Sequence, residues 1–359
     1  MSPTTSSPRG PRGSDAARVT LKTLADHLRL SPASISLVLN RAPAAKAIPQ
    51  KTKDRIVEAA RRLGYRPHGV ARSLARRRTF TIGVLIPDVS EGYVALALGG
   101  IEDYLLQAGY LYFVTSHRHK EDLIEEYKRL LMDRNVEGVL ALDTPFPEAL
   151  SVPVVAISGH ERVAGVTNIE LDHARAAELA LEHLKSLGHR RIAVIRGVAY
   201  SADSGVRWRT IRDTAKRLGI PIEPKLVTEL TEYDLTPGPG YRATKALLAK
   251  GGPFTALFAF NDVTAIGAIQ ALYDASLDVP RDVSVVGFDD IPGAMYHRPG
   301  LTTVRQPLRV MGETAARTLL TQLERSDNGH GDAVTATAPA SLLIAPDLVV
   351  RGTTAPARR

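Results

Sequence analysis

The feature that most constrains the fold is a long alternation of apolar and amphipathic segments that begins at Thr79. Apolar runs such as FTIGVLIPD (80–88) and VSVVGFDD (283–290) alternate with helix-patterned runs such as YVALALGGIEDYLLQAG (93–109). Buried strands that alternate with amphipathic helices form parallel sheets with helices on both faces. The alternation occurs in two runs, each about the size of one sheet domain, so the sequence predicts a two-lobed α/β body.

A shorter region with helical patterning precedes this body. TLKTLADHL (20–28) places leucines on one face, and Ser31 before Pro32 is a typical start of a second helix. QKTKDRIVEAARRLGY (50–65) has the pattern of a third helix. Three short helices with a tight turn between the first two predict a helix-turn-helix domain. The pattern alone fits a plain three-helix bundle almost as well.

The charge distribution favours DNA binding over the plain bundle. Residues 1–78 contain 17 Lys and Arg but only 4 Asp and Glu, whereas the remaining residues contain 29 and 34. A basic head on a mildly acidic body is typical of a nucleic-acid-binding protein. The alternative, a solubilising basic tail, accounts less well for charge that lies within patterned, foldable sequence. Only residues 1–18, rich in Ser, Pro, Gly and Arg, are expected to be disordered.

Several other classes of protein find no support in the sequence. The chain has no cysteine, no apolar stretch of membrane-spanning length and no secretory signal at its start, so we expect a cytoplasmic protein. The dinucleotide, P-loop, zinc-protease and nucleophile-elbow motifs of common enzymes are absent. SHRHK (116–120) holds two histidines, but without further ligands at metal spacing it is expected to be a solvated loop between a strand and a helix, and a position at the rim of a cleft between the lobes stays open for it. We therefore expect no catalytic residue, no metal and no cofactor.

The order of a basic helix-turn-helix, a short basic linker and two α/β lobes resembles the LacI/GalR (lactose/galactose repressor) family of bacterial transcription regulators. The matching stretches follow the order of that family from Thr20 to Arg351, and they include TLKTLADHLRLSPASISLVLN, RIVEAARRLGYRPHGVARSL, FTALFAFNDVTAIGAIQAL and VPRDVSVVGFDDI. The resemblance implies a homodimer that binds a pseudo-palindromic operator in double-stranded DNA. It also implies a periplasmic-binding-protein-like body that binds a small effector, a carbohydrate, between its lobes.

The resemblance assigns the helix that begins at Ser31 to DNA recognition in the major groove. Its early residues Pro32 and Ala33, and later Leu37, match positions that face base edges. Side chains suited to contact phosphate are Ser31, Ser34, Ser36 and Asn40. Further DNA-contacting positions are Thr20, Tyr65 and His68. Relatives commonly carry arginine where this chain has Leu37, and leucine cannot make the bidentate contact to guanine.

The linker after the head resembles the hinge helix of the family. Val70, Ala71 and Leu74 lie on one side of RPHGVARSLARRR (66–78), a segment too short to be a stable helix alone. The resemblance implies that two hinge helices pair in the dimer, and that Leu74 inserts between base pairs in the minor groove. A flexible basic tether is the alternative interpretation.

The resemblance also proposes residues for the effector cleft. Arg207 aligns with the effector-binding arginine of the family, and a guanidinium can bind vicinal hydroxyls or a carboxylate through two bonds. The other expected effector-binding residues are Asp88, Ser90, Tyr93, Asn261, Asp289 and Gln306. A helix cap or an ion pair is the alternative role for each, and we favour that role for Asp172 and Asp262. Trp208, the single tryptophan, is expected either to stack on a sugar or to be buried.

These expectations define the domains. They are a disordered tail (1–18), a helix-turn-helix domain (19–66), a hinge (67–79), a two-lobe body (80–351) and a frayed tail (352–359). Within the body, we expect a first lobe of 80–175 plus 306–330 and a second lobe of 176–305 plus 331–351. Two functional alternatives stay open: a regulator that needs a purine-like corepressor, and a periplasmic-type solute-binding protein without a regulatory role.

Overall fold

The computed structural model describes residues 19–39, 43–65, 78–146, 148–158, 162–232, 234, 236–327 and 340–358. The chain divides into two compact units, a head (Met1–Thr79) and a body (Phe80–Arg359). None of the helices in the described ranges combines the length and the apolar character that crossing a membrane requires.

The described part of the head contains three α-helices. They are α1 (Leu21–Leu28), α2 (Pro32–Leu39) and α3 (Gln50–Arg62), with a 3-10 turn at Pro43–Ala47. Thr20 caps α1, because its hydroxyl accepts from the backbone N–H of Thr23, and Arg29 ends that helix in the left-handed region with φ 53°. Leu24, Ile35 and Ile56, one from each helix, are fully buried and form the centre of the head core.

The body contains two six-stranded sheets. The strands of the first sheet are β1 (Thr81–Ile86), β2 (Leu111–Ser116), β3 (Gly138–Leu142), β4 (Val154–Ile157), β5 (Val166–Leu171) and β11 (Ala340–Ile344). Those of the second sheet are β6 (Ile192–Arg196), β7 (Val227–Glu229), β8 (Ala256–Phe258), β9 (Ser284–Asp289), β10 (Thr302–Arg305) and β12 (Asp347–Val349).

The two sheets share one strand order. It is β2-β1-β3-β4-β5-β11 in the first sheet and β7-β6-β8-β9-β10-β12 in the second. All neighbours pair in parallel except β12, which runs antiparallel to β10. This order places a switch point beside β1 and another beside β6, where ligands of open parallel sheets bind.

Helices cover the sheets. They are α4 (Gly92–Gln107), α5 (Glu121–Asp133), α6 (His173–Ser186), α7 (Ala202–Leu218), α8 (Gly238–Ala249), α9 (Asp262–Asp274), α10 (Pro292–Tyr296) and α11 (Leu308–Asp327). The helices α4 and α11 pack closely, because a Cβ atom on Gly100 would lie 2.0 Å from the backbone oxygen of Arg309. This contact places the middle of α4 directly against the first turn of α11.

One lobe assignment from the sequence is wrong. We expected the chain after residue 330 to belong to the second lobe, but β11 pairs in parallel with β5 at the edge of the first sheet. The reason is that α11 packs on β3, β4 and β5 and delivers the chain to that edge. Only β12 returns to the second sheet, where it pairs with β10.

The sequence also left several elements unidentified, among them β5, β7 and α8. In β5, the polar residues Thr167, Asn168 and Glu170 hide the strand pattern, although all six of its residues are buried. The strand β7 has only three residues, and α8 begins with the glycine–proline-rich segment GPG, which usually indicates a turn.

Candidate functional site

A cleft in the body lies between side chains from both sheets, at the carboxyl ends of their strands. It encloses about 440 Å³, counting its open mouth. The first lobe contributes four lining residues: Glu91, Tyr93, His119 and Asp143. The second lobe contributes seven: Val198, Ser201, Asp203, Arg207, Phe260, Asn261 and Asp289. Gln306, on the crossover between β10 and α11, completes the lining.

The guanidinium of Arg207 is the most firmly held group in the cleft. Its side chain extends from α7, and one terminal nitrogen donates to the backbone oxygen of Phe260 at 2.6 Å. The other terminal nitrogen donates to Asp203 at 3.2 Å. The guanidinium carbon also lies 3.7 Å from the ring centroid of Phe288 and 4.6 Å from that of Phe260, within range of cation–π attraction. Among the described residues, the Arg207 Nε atom finds no hydrogen-bond partner, although it is buried.

Asp289 lies at the end of β9, with its carboxylate in the cleft. Gln306 donates from Nε2 to one carboxylate oxygen at 2.6 Å. Burial raises the pKa of Asp289 to about 7, and the nearby charge of Arg207 and the bond from Gln306 oppose that rise. The Oε1 atom of Gln306 is buried without a hydrogen-bond partner in the described part of the chain. Two buried polar atoms of the cleft residues, this oxygen and the Nε of Arg207, thus lack a hydrogen-bond partner among the described residues.

Asn261 and Asp262 begin α9 in different roles. The Asn261 side chain caps the helix by accepting from the backbone N–H of Thr264 at 2.9 Å, and it also lines the cleft. Asp262 is fully buried outside the lining, where it accepts from the hydroxyl of Thr303 and from the backbone N–H of Ile291. Burial and the neighbouring Asp289 raise the pKa of Asp262 well above its usual range. Asp262 is therefore more than a helix-start acid, since it holds the loop that follows Asp289.

In the first lobe, the cleft side chains come from three separate loops and helix ends. Glu91 precedes α4, Tyr93 lies in its first turn, and Asp143 directly follows β3. The Tyr93 hydroxyl donates to Asp143 at 3.3 Å. Asp143 and His119 both have φ in the left-handed region, 41° and 55°, as does Asp289 with 108°. Such strained backbone in non-glycine residues concentrates at functional sites.

Asp88 and Ser90 are not among the residues that line the cleft. The Asp88 carboxylate instead accepts from the backbone N–H of Ser90 at 3.0 Å and from its hydroxyl. These bonds lower the pKa of Asp88. Both residues thus form a local turn between β1 and α4, while Tyr93, one turn further, reaches the lining.

Of the two histidines of SHRHK, His117 differs from the solvated loop that we expected, whereas His119 lies at the cleft, a position that the sequence left open for this loop. His117 is fully buried, its Nε2 lies 2.9 Å from the Thr144 hydroxyl, and burial lowers its pKa to about 4. His119 lines the cleft, and its ring lies 5.2 Å from that of Tyr200, on the second lobe. The burial of His117 was not predicted because no local pattern shows that this loop contacts Thr144, just after β3. No cluster of three potential metal ligands occurs among the described residues.

Trp208 and Asp172 lie outside the cleft lining. Trp208 is half-buried against the body core, with Arg196 and Arg212 over its ring, and it lines a separate groove on the second lobe. Asp172 caps α6, because its carboxylate accepts from the backbone N–H of Arg175.

Sequence reasoning missed seven of the lining residues. They are Glu91, His119, Asp143, Val198, Ser201, Asp203 and Phe260. Three of them had a usable signal. Asp143 directly follows the apolar run VEGVLAL, Asp203 lies one helical turn before Arg207, and Phe260 ends the apolar run FTALFAF directly before Asn261. The others lie in loops whose course the pattern does not give.

In the head, the start of α2 is exposed. Pro32 and Ala33 are exposed side chains, while the Ser31 hydroxyl accepts from the backbone N–H of Ser34 and lies 2.9 Å from its hydroxyl. Leu37 is half-buried against the head core. Ser31 therefore caps the helix whose first turn is free to approach a partner surface.

Of the other predicted DNA-contacting residues, the structure describes some and leaves the rest undescribed. Thr20 is exposed and caps α1, Ser36 is half-buried on α2, and Tyr65 packs against the head core. The predicted DNA contacts Asn40, His68, Val70, Ala71 and Leu74 lie outside the described residues, as do the tail 1–18 and most of the hinge. Exposed basic side chains of the described head include Lys22, Arg29, Lys46, Lys51 and Arg55.

Comparison with known proteins gives a consistent result. Residues 181–354 match the periplasmic binding protein-like domain family. The HTH-type transcriptional repressor PurR of Photorhabdus laumondii is 31% identical over 325 residues, which are 88% of this chain and 93% of that protein.

Solved structures agree with these sequence matches. A lac repressor dimer bound to operator and the anti-inducer ONPF is similar with a TM-score of 0.80 and 26% identity, over 94% of this chain and 99% of that one. A complex of the transcriptional regulator CelR with cellobiose has a TM-score of 0.66 and 26% identity, over 94% and 100%. These relatives are regulators of transcription and span both the head and the body. The chain therefore belongs to the LacI/GalR family of transcriptional regulators.

Proposed function

We propose that this chain is a sequence-specific DNA-binding repressor whose affinity for its operator is controlled by a small effector in the cleft between the lobes. The cleft carries this proposal, since the buried Nε of Arg207 and Oε1 of Gln306 have no partner among the described residues. Buried polar atoms without partners are costly, so a ligand that bonds to them binds favourably. The lac repressor dimer bound to operator and ONPF supports the pairing of DNA binding with ligand binding.

The finer proposal is that the effector is a carbohydrate that relieves repression. Asp289, Asn261 and Gln306 line the cleft with acceptors and donors of the kinds that bind hydroxyl groups. The similar CelR structure is a complex with cellobiose, which supports a sugar. A purine-like corepressor is the second candidate, because repressors named PurR are among the relatives with the highest identity. The sign of the effect separates the two, since an inducer weakens operator binding and a corepressor strengthens it.

We further propose that the protein acts as a homodimer in the cytoplasm and catalyses no reaction. The dimer is the state of the similar lac repressor on its operator. In this dimer two hinge segments meet, and Leu74 enters the minor groove. Effector binding changes the angle between the lobes, and this controls whether the hinge segments pair. An effector shifts that equilibrium only by its difference in affinity for the two states.

DNA binding is tested by the salt dependence of operator affinity. Each lysine or arginine contact with phosphate releases counterions, so affinity should fall about a thousandfold between 50 and 200 mM salt. Fluorescence anisotropy with a selected operator measures this fall, and a scrambled duplex provides the non-specific baseline. A salt-independent affinity would contradict the DNA-binding function.

The hinge is tested by Leu74→Ala. Loss of the inserted side chain should weaken binding to the operator far more than binding to the scrambled duplex. The reason is that Leu74 inserts between base pairs only in the operator complex. Ser73→Ala changes the same segment without removing an apolar side chain and serves as the control. Equal losses on both duplexes would remove Leu74 from the minor groove.

A further inference from the structure

The body begins with a backbone conformation that phenylalanine rarely adopts. Phe80 is the first residue of the body, and its φ of 50° lies in the left-handed region. There the Cβ atom of an L-residue lies too close to a carbonyl oxygen, so a non-glycine residue stays only when its surroundings hold it. Strained backbone of this kind concentrates at functional sites. Here it occurs at the residue that directly follows the hinge (67–79).

Two further side chains hold Phe80 in this conformation. The backbone N–H of Phe80 donates to Oε1 of Glu137 at 2.7 Å, and the Tyr110 hydroxyl donates to Oε2 of the same carboxylate at 3.2 Å. The rings of Phe80 and Tyr110 lie 5.4 Å apart at an interplanar angle of 60°, a usual arrangement for an aromatic pair. We call Phe80, Tyr110 and Glu137 the junction clamp. Each of its three members contacts the other two.

The backbone around the junction clamp is fixed as well. The N–H of Leu111, the first residue of β2, donates to the Phe80 oxygen at 2.9 Å. The N–H of Glu137, directly before β3, donates to the Thr81 oxygen at 2.8 Å. The starts of three neighbouring strands therefore meet at Phe80. All three clamp residues are at least partly buried, and a hydrogen bond to a carboxylate that is shielded from water is stronger than an exposed one.

The bond from Phe80 to Glu137 does more than attach β1 to its sheet. Strand β1 already pairs with β2 and β3, and Ile82, Val84 and Ile86 are fully buried. The Phe80 N–H belongs to the peptide group that joins Thr79 to Phe80, so the bond to Glu137 holds that planar group in one orientation. The junction clamp thereby sets the direction of the chain as it enters the body.

We propose that Glu137 is a positioning residue for operator binding, because it holds the junction clamp in the state in which each hinge leaves its body in one direction. This inference rests on the proposed function, in which the two hinge segments of a dimer pair on the operator. Segments that are already oriented lose less conformational entropy when they pair. Glu137 acts through the Phe80 peptide group and not by contact with DNA.

The test is Glu137→Ala in the full-length protein. The Phe80 N–H and the Tyr110 hydroxyl lose their acceptor, so affinity for a selected operator should fall about tenfold. Affinity for a scrambled duplex depends on the basic side chains of the head and not on paired hinges, so it should change less than about twofold. Fluorescence anisotropy measures both affinities. Thermal unfolding identifies a temperature at which the variant is fully folded, and the titrations are done there.

Glu137→Gln is the conservative variant. Its amide oxygen can accept from the Phe80 N–H and its amide nitrogen can donate to the Tyr110 oxygen, so operator affinity should stay within about threefold of the wild type. The matched control is Glu126→Ala, which removes the same charge from an exposed position on α5 of the same lobe. This control should bind both duplexes as the wild type does.

Two results would overturn the inference and leave the proposed function intact. One is wild-type operator affinity in Glu137→Ala. The other is a loss of equal size on both duplexes, which would mean that Glu137 only stabilises the fold. A loss in Glu137→Gln as large as that in Glu137→Ala would also contradict the inference, because the hydrogen bonds would then not be what matters.

A second variant tests the inference if Glu137→Ala does not fold. Tyr110→Phe removes one hydrogen bond of the junction clamp and keeps the ring, so it should weaken binding to the operator about threefold and leave binding to the scrambled duplex unchanged. Equal binding of Tyr110→Phe and the wild type to the operator would then overturn the inference. If the wild type itself bound the two duplexes equally, the proposed function would fail, and the inference with it.

Discussion

The two lobes of the body have the same strand order, but they hold their cleft side chains in different ways. In the second lobe, internal hydrogen bonds fix the key residues: Arg207 to Phe260, Asn261 to Thr264, and Asp289 to Gln306 from the crossover. In the first lobe, the lining residues come from loops and helix ends, with the Tyr93–Asp143 bond at 3.3 Å.

The difference indicates a division of labour. A site whose side chains are already fixed by internal hydrogen bonds loses little conformational entropy when a ligand binds. The second lobe is therefore suited to hold the effector at high affinity. The first lobe, which contributes Glu91, Asp143 and His119, is suited to close over a ligand that the second lobe already holds. The His119–Tyr200 ring contact joins the lobes across the cleft. Substitutions in the second lobe should therefore lower effector affinity more than substitutions in the first lobe.

The largest expected effect is that of Arg207→Ala. Loss of the guanidinium removes a charged hydrogen bond to the effector and the support of Phe260, and it should lower effector affinity by about 100-fold. The body should also lose about 3 kcal/mol of stability, because Asp203 stays buried without its partner. Calorimetry with an effector found in a screen of sugars and nucleosides, and thermal unfolding, measure these changes. Arg209→Ala, at an exposed position on the same helix, is the control. Wild-type affinity in Arg207→Ala would exclude this residue from the site.

A smaller effect is expected in the first lobe from Asp143→Asn. The amide keeps the shape of the side chain but loses the charge that accepts from the ligand, so effector affinity should fall about tenfold. Asp133→Asn, exposed at the end of α5 in the same lobe, should leave affinity unchanged. If Asp143→Asn weakened binding more than Arg207→Ala, the division of labour between the lobes would be reversed.

The pH dependence of stability should have opposite signs in the two lobes. The raised pKa of Asp289, about 7, means that the folded state holds a proton that the unfolded state has lost, so stability falls as pH rises from 4 to 7. The lowered pKa of His117, about 4, makes the unfolded state bind the extra proton, so stability falls as pH drops from 6.5 to 4. Urea unfolding across this range should show Asp289→Asn gaining relative stability towards pH 7 and His117→Gln gaining it towards pH 4. If both variants gained relative stability in the same direction of pH, the raised pKa of Asp289 and the lowered pKa of His117 would not both hold.

The smallest effect should come from Asp88→Ala and Ser90→Ala. Both residues follow the first strand, as Asp289 follows its own strand, but they bond to each other outside the lining. Effector affinity should change less than about twofold, within the usual range for surface substitutions. A tenfold loss in either variant would show that the cleft extends to this turn.

The contrast between lobes also explains what the sequence could predict. The two sheets, the three head helices and the placement of Arg207, Asn261 and Asp289 follow from periodicity, from capping signals and from the family resemblance. Strand β5 was not predicted because polar residues such as Asn168 are buried in it. The position of β11 was not predicted because it depends on how α11 packs, which is a tertiary effect.

The first-lobe side of the cleft could not be predicted for a related reason. His119 reaches the lining because the loop after β2 adopts left-handed backbone at residues 118 and 119. Left-handed conformations at non-glycine residues have no reliable sequence signal. Burial of His117 depends on Thr144, 27 residues away in the chain, and no local pattern reports such a pair.

The most direct test of the account is an operator titration of the wild type and of Arg207→Ala, each with and without an effector found in a screen of sugars and nucleosides. Linkage between the cleft and the head predicts that both proteins bind the operator equally well without the effector, and that only the wild type changes its Kd when the effector is added. An equal change in both proteins, or none in the wild type, would contradict control of DNA binding from this cleft.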